Sequence, residues 1–139
     1  MGADSDAINR LTNEVFLGGD FSKFDDLVDD SYTDHDPMPG IADDKKGLRD
    51  TAQMVVATFD NRKMAMHELV ETSDGRLVEN WIMTGKHVGE AMGIPASNKD
   101  ISVRGMELWK VANGKIVEHW GVVDIGDVLE KAGLVPAPS

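Results

Sequence analysis

The chain has no cysteine, which excludes a disulfide framework and any thiolate-ligated metal site. It has no apolar run near the ~20 residues that a bilayer-spanning helix requires. Its start, Met1-Gly2-Ala3-Asp4-Ser5-Asp6, offers neither the basic n-region nor the apolar h-region of a signal peptide. Positive charge is scarce: 14 lysines and arginines face 25 aspartates and glutamates, a net charge of −11. Sequence-independent binding to nucleic acid needs cations to neutralise phosphates, so no nucleic-acid partner is expected, and no anionic membrane surface. A nucleophile elbow, a Walker loop and a Gly-x-Gly-x-x-Gly fingerprint are all missing, which leaves serine-nucleophile and nucleotide-dependent chemistry unsupported. A soluble cytoplasmic protein is the expectation.

At 139 residues the chain fits one domain with room for a core and a pocket. That domain is expected over residues 1–135, with Pro136-Ala137-Pro138-Ser139 as a flexible tail. Aspartates crowd the stretch from Asp20 to Asp50. A calcium loop would need alternating oxygen ligands, a turn glycine and a closing glutamate. That pattern is missing here, so solvated helix ends are the reading and no metal is expected.

Period separates the two halves. Ile8, Leu11 and Val15 lie on one helical stripe over about Asp6–Leu17, stopped by Gly18-Gly19. Phe21, Phe24 and Leu27 predict a short helix near Phe21–Val28. Pro37 and Pro39 make Tyr32–Gly40 irregular or edge-like. Leu48, Ala52, Val55, Val56 and Phe59 predict a third helix, capped by Asp43 or Asp44. Beyond it, Met64–Thr72, Leu77–Val88, Ile101–Val111 and Ile116–Ile125 read as strands, with hairpin turns at Ser73-Asp74-Gly75 and Asn113-Gly114. A short helix, Val128–Ala132, closes the pattern. Helices followed by consecutive antiparallel strands mean α+β: a curved sheet partly covered by helices, with a pocket between them.

Several side chains are fit for chemistry. Asp124 ends a mostly apolar strand, where it serves either as a general base against Trp120 and Val122 or as the cap of the next helix. On that strand Ile116, Glu118, Trp120, Val122 and Asp124 share one face, and Val117, His119, Gly121 and Val123 share the other. Periodicity leaves open which face points inward. In Tyr32-Thr33-Asp34-His35-Asp36, the two aspartates point one way and His35 the other, so the three do not chelate one ion. His35 is either a pocket acid or a surface histidine among carboxylates. His87 and His119 read as hydrogen-bonded, partly buried histidines, and His67 has no supporting neighbour in the sequence. Glu107 interrupts an apolar strand, so it is either paired inside or turned to a dimer interface. Trp81, Trp109 and Trp120, with Met66, Met83, Met92 and Met106, suit a flat apolar ligand or an ordinary core.

Gly85-Lys86-His87-Val88-Gly89, Met92-Gly93-Ile94-Pro95 and Asn113-Gly114-Lys115-Ile116-Val117-Glu118-His119-Trp120 followed by Asp124 resemble the SnoaL-like polyketide cyclases of the NTF2-like superfamily. Tyr32-Thr33-Asp34-His35-Asp36-Pro37 matches as well, and the likeness runs over nearly the whole chain. The resemblance implies an α+β cone or barrel, its N-terminal helices packed on a curved, mainly antiparallel sheet around an apolar pocket. It implies a homodimer formed through the outer face of the sheet. It also implies a cofactor-free enzyme that closes a ring by intramolecular aldol condensation of an apolar carbonyl substrate. The family's acid/base aspartate corresponds to Asp124, with His35 as its catalytic partner here. Tyr32, Trp81, His87, Met92, Glu107 and Trp120 become the expected substrate contacts. Where family members carry a histidine on the penultimate strand, this chain offers Glu107, Trp109 and Lys110. The alternatives are an isomerase, hydratase or hydrolase of a small apolar molecule on the same fold, and a non-catalytic ligand-binding or dimerisation module.

Overall fold

The computed structural model describes residues 2–90, 93–131 and 133. Met92, Ala132 and the tail Pro136–Ser139, all named above, lie outside the described residues. The first helix, α1 (Ala3–Arg10), continues into a wider π-helical turn over Leu11–Leu17, closed by the amide of Gly18 donating to the Asn13 carbonyl at 3.0 Å. The helix expected over Phe21–Val28 shrinks to α2 (Phe24–Leu27). From Val28 the chain is extended as β1 (Val28–Asp34), because Val28 and Tyr32 are buried on one face while Ser31 and Thr33 face solvent. Helix α3 (Lys45–Thr58) starts on Asp44, whose carboxylate accepts from the Gly47 amide at 3.0 Å.

Four long strands follow: β2 (Phe59–Glu71), β3 (Leu77–His87), β4 (Asp100–Ala112) and β5 (Lys115–Val123), then α4 (Ile125–Lys131). The sheet order is β1-β5-β4-β3-β2. Neighbours pair antiparallel except β1, which runs parallel to β5. Asn113 and Gly114 both adopt positive φ (53° and 77°), the backbone that a two-residue hairpin between right-twisted strands demands. With β1 and β2 at the two ends of this order, the cone is an open sheet, not a closed barrel.

The inward face of the sheet carries odd-numbered residues: Leu77, Glu79, Trp81, Met83 and His87 on β3, and Ile101, Val103, Gly105, Glu107 and Trp109 on β4. Strand β5 obeys the same alternation over 119, 121 and 123. A bulge at Val117, where Lys110 pairs with Glu118 but Val111 with Ile116, then turns buried Ile116 inward too. Two apolar clusters flank this face. One joins α1, the π turn and β1 to Leu77, Trp109 and Ile116. The other gathers Phe59, Met83, Ile101, Val103 and Val128. The Arg62 guanidinium ties the helices together by donating to the carbonyls of Phe16 and Leu17 (both 2.9 Å), Val56 (3.1 Å) and Phe59, which satisfies helix C-termini that would otherwise lack partners.

Candidate active site

Between helices and sheet lies a cavity of about 190 Å³. Most of its wall is apolar: Leu11, Phe16, Leu48, Val55 and Phe59, four methionines (Met38, Met54, Met64 and Met83), and Ile125 and Val128 of α4. The indole of Trp81 crosses this wall. It lies over Gly105, where a β-carbon would come within 2.3 Å of the ring, so glycine at 105 is what lets the indole lie flat.

One polar cluster interrupts the apolar wall. His119 from β5 offers both ring nitrogens to carboxylates: Nδ1 is 2.8 Å from Asp34 Oδ1, and Nε2 is 3.1 Å from Glu107 Oε1. Two carboxylate acceptors on one imidazole ask for a proton on each nitrogen. Burial opposes that charge, but the hydrogen bonds to Asp34 and Glu107 outweigh it and raise the His119 pKa to about 9. Asp34 is fully engaged. Its Oδ1 also accepts from the Asp36 amide at 2.9 Å, and its Oδ2 accepts from the Tyr32 hydroxyl at 3.3 Å. Burial works against its charge too, yet bonding to His119 brings its pKa below the ordinary carboxylate range. The β1–β5 contact is extended by Asp36, whose Oδ2 accepts from the Gly121 amide at 2.9 Å.

Glu107 differs from both. Its Oε2 is buried and has no hydrogen-bond partner among the described residues. Burial, more than any other cause, holds its pKa above the usual glutamate value, against the pull of His119. An unpartnered buried carboxylate oxygen costs on the order of 1–3 kcal/mol, so its retention next to a cavity points to use. Gly121 leaves the room that this arrangement needs: a β-carbon there would sit 2.8 Å from both Glu107 Oε1 and His119 Nε2.

A second buried carboxylate, Glu79, also lines the cavity. Both its oxygens have partners: Oε2 has Thr12 Oγ1 (2.5 Å) and His67 Nε2 (2.7 Å), and Oε1 accepts from Trp109 Nε1 (3.0 Å). Thr12 reaches it from the π turn, an irregularity that often marks functional positions. At the far end of β3, His87 is buried, with Nδ1 accepting from the Ser97 amide (3.3 Å) and lying 3.0 Å from Ser97 Oγ. Among the described residues no group of three side chains is placed to hold a metal ion; in the Asp34–His119–Glu107 cluster the imidazole itself fills the space between the carboxylates.

Of the residues singled out from the sequence, Glu107, Trp81 and His87 line the cavity. Tyr32 stands behind it, buried, and reaches it only through Asp34. The other three placements differ from expectation, and strand alternation is the reason. Once His119, Gly121 and Val123 face inward, Trp120, Val122 and Asp124 must face out. Asp124 is exposed, and its Oδ1 accepts from the Asp127 amide at 3.0 Å, which makes it the N-cap of α4. His35 is exposed on the outer surface, stacked on Trp120 with ring centroids 4.6 Å apart and bonded to Glu118 at 2.8 Å. Thus neither Asp124, His35 nor Trp120 borders the cavity. His119, Asp34, Glu79 and His67 do belong to its polar network. A signal for the first two was present: His119 and Gly121 share a face, and Asp34 and Asp36 project together opposite His35.

The sequence model of the SnoaL-like polyketide cyclase family matches residues 6–131. No curated protein sequence matches the chain. Among solved structures, TsrD from Streptomyces laurentii superposes with a TM-score of 0.79 at 22% identity, over 95% of this chain and 98% of that one. IdmH from Streptomyces antibioticus, a candidate polyketide cyclase, gives 0.77 at 25% identity, over 94% and 98%. AclR from Streptomyces galilaeus, a candidate hydroxylase, gives 0.80 at 17% identity, over 98% and 84%. Likeness at such identities speaks for a shared fold.

Proposed function

The chain belongs to the SnoaL-like polyketide cyclase family, and on that premise we propose that it closes a ring in a small apolar carbonyl compound by aldol addition, with Glu107 as the acid/base. The observation that carries this reading is the free Oε2 of Glu107, the one oxygen in the Asp34–His119–Glu107 cluster without a partner. In the ionised state Oε2 takes a proton from a carbon adjacent to a carbonyl. The resulting enolate carbon attacks a ketone carbon in the same molecule. A C–C bond forms, the carbonyl π bond opens to an alkoxide, and the proton on Oε2 passes to that alkoxide. Nothing but the substrate is consumed, and one group serves as base and then as acid. Protonated His119, fixed by Asp34, offsets the charge on Glu107 and holds its carboxylate in place. The apolar wall and Trp81 fold the chain of the substrate so that its two reacting carbons meet.

The cavity bounds substrate size. An apolar pocket of about 150 Å³ holds benzene, so about 190 Å³ suits a product of one or two rings.

Proton abstraction is the step to test first, because it needs no knowledge of the natural substrate. Exchange of α-hydrogens for deuterium, followed by NMR for a panel of monocyclic and bicyclic ketones together with closure of 2,6-heptanedione, should run above the buffer rate. Absence of both for the whole panel overturns the enzyme reading and leaves a ligand-binding module. Asp124→Ala is the discriminating variant within that assay. Loss of the cap costs about 0.5–2 kcal/mol of stability, with exchange unchanged within twofold. A loss of exchange comparable to that of a Glu107 variant would return the acid/base role to Asp124.

The assembly expected of the family is a homodimer through the outer face of the sheet. Support lies in Met106 and Val122, cross-strand partners that are 44% and 72% exposed there. Sedimentation at micromolar concentration should show a species of twice 15.1 kDa; a monomer alone overturns the assignment. No helix among the described residues is long and apolar enough to cross a membrane.

A further inference from the structure

Glu79 and Glu107 are direct cross-strand partners in the β3–β4 register. Both are buried and both point inward. Side chains so paired have β-carbons about 4.5–5.5 Å apart, and like charges at that spacing in a dry wall raise each other's proton affinity. The two are not equivalent. Three side chains from three elements (Thr12 of the π turn, His67 of β2 and Trp109 of β4) bond both oxygens of Glu79. Glu107 keeps Oε2 free. Of the two carboxylates, Glu107 is the one with an oxygen open to a proton.

We propose that Glu79, anchored by His67, is a positioning residue that raises the proton affinity of Glu107 Oε2, so that this oxygen can both take a carbon-bound proton and return it. The inference rests on the acid/base role assigned to Glu107 and adds the group that tunes it. The other charged or titratable groups facing Glu107 are His119 from β5, and Asp34, Asp36 and the Tyr32 hydroxyl from the β1 side. His119 acts in the opposite direction on Glu107, and Asp34 is neutralised by it. Glu79 is the carboxylate directly across the strands from Glu107, and Coulombic repulsion from it raises the Glu107 pKa, an effect that is smaller while His67 carries a proton. His67 keeps Glu79 in place: their bond is 2.7 Å, and it holds the His67 pKa up. Trp109 links the two halves of the network. Its Nε1 bonds Glu79 while its ring packs on His119, centroids 4.4 Å apart.

The test is a carbon-13 NMR titration of the side-chain carboxyl of Glu107, with no ligand present. In the unmodified protein its midpoint should lie above the ~4.3 of an ordinary glutamate; a midpoint at or below that value overturns the inference before any variant is made. In Glu79→Gln the Glu107 midpoint should fall by about one pH unit. Glu79→Asp keeps the charge and should restore most of the difference, which separates field from packing. In the ketone exchange assay the rising limb of the pH–rate profile should move acidward by the same amount in Glu79→Gln. A residue with only a structural role would lower the plateau and leave the limb where it was. An unmoved midpoint in a folded Glu79→Gln protein overturns the inference. The titration reads the coupling whether or not the ketones react, so failure here and failure of the proposed reaction are told apart.

Discussion

Glu107→Gln is expected to reduce ketone proton exchange and ring closure by 10²–10⁴-fold, roughly the contribution of a positioned acid/base group. Glutamine matches glutamate in size and can still place a carbonyl oxygen on His119 Nε2, where Glu107 Oε1 now sits at 3.1 Å. What it cannot do is accept a proton on the second position, the buried Oε2 that has no partner. The fold should survive, because removing a partly unsatisfied carboxylate also removes its desolvation cost. A cooperatively folded variant with lost exchange identifies Glu107 as the acid/base. Exchange within fivefold of the unmodified protein would sink the assignment. Binding of a non-reacting aromatic ketone, followed by tryptophan fluorescence, should persist in the variant, since the apolar wall with Trp81 and Trp109 is untouched.

The same residues show what the sequence could and could not reveal. Elements with a strong local signature were readable: the Asn113-Gly114 turn and strands β3, β4 and β5 stand close to where period and turn chemistry place them, whereas Phe59, expected on the helix α3 stripe, opens β2 five residues before Met64. Helix ends were less so, because the π turn and the early start of β1 depend on contacts with the sheet. The site turned on one binary choice. Alternation on β5 sorted Asp124 with Trp120 and His119 with Gly121, but a strand with polar groups on both faces does not say which set is inside. The answer comes from β4 and β3, whose inward residues are fixed by Trp109, Leu77 and Met83 packing in the core. Glu79 was illegible for another reason. Its partners Thr12, His67 and Trp109 are 67, 12 and 30 residues away, and no local pattern connects them. His67 likewise looks isolated until β2 and β3 pair.

The second large effect is on stability, and His119 carries it. In the folded protein this imidazole holds its proton to about pH 9, whereas an unfolded histidine releases it near ~6.5. The folded state therefore binds the proton more tightly, so the stabilisation is complete below pH ~6.5 and is lost as pH rises through about 9. A difference of that size corresponds to about 3 kcal/mol, a large share of the stability of a domain this small. Asp34 contributes nothing to the slope in this window. Its pKa is depressed in the fold, so its share is present above the unfolded value of ~3.9 and lost only as pH falls. Glu107 is raised and acts in the same sense as His119 but from lower pH, where its share is lost as pH climbs through its folded value. Urea unfolding at intervals from pH 6 to pH 10 should show the unmodified protein losing about 3 kcal/mol. In His119→Gln the slope between pH 7 and pH 10 should flatten, from a starting stability already lower by about 3–5 kcal/mol because Asp34 and Glu107 then lack their shared cation. An unmodified protein with a flat profile, or a His119→Gln profile of undiminished slope, would mean that the ring is neutral between its two carboxylates. Glu107 would then lose the charge that holds it, and the acid/base reading would fall with the ion pair.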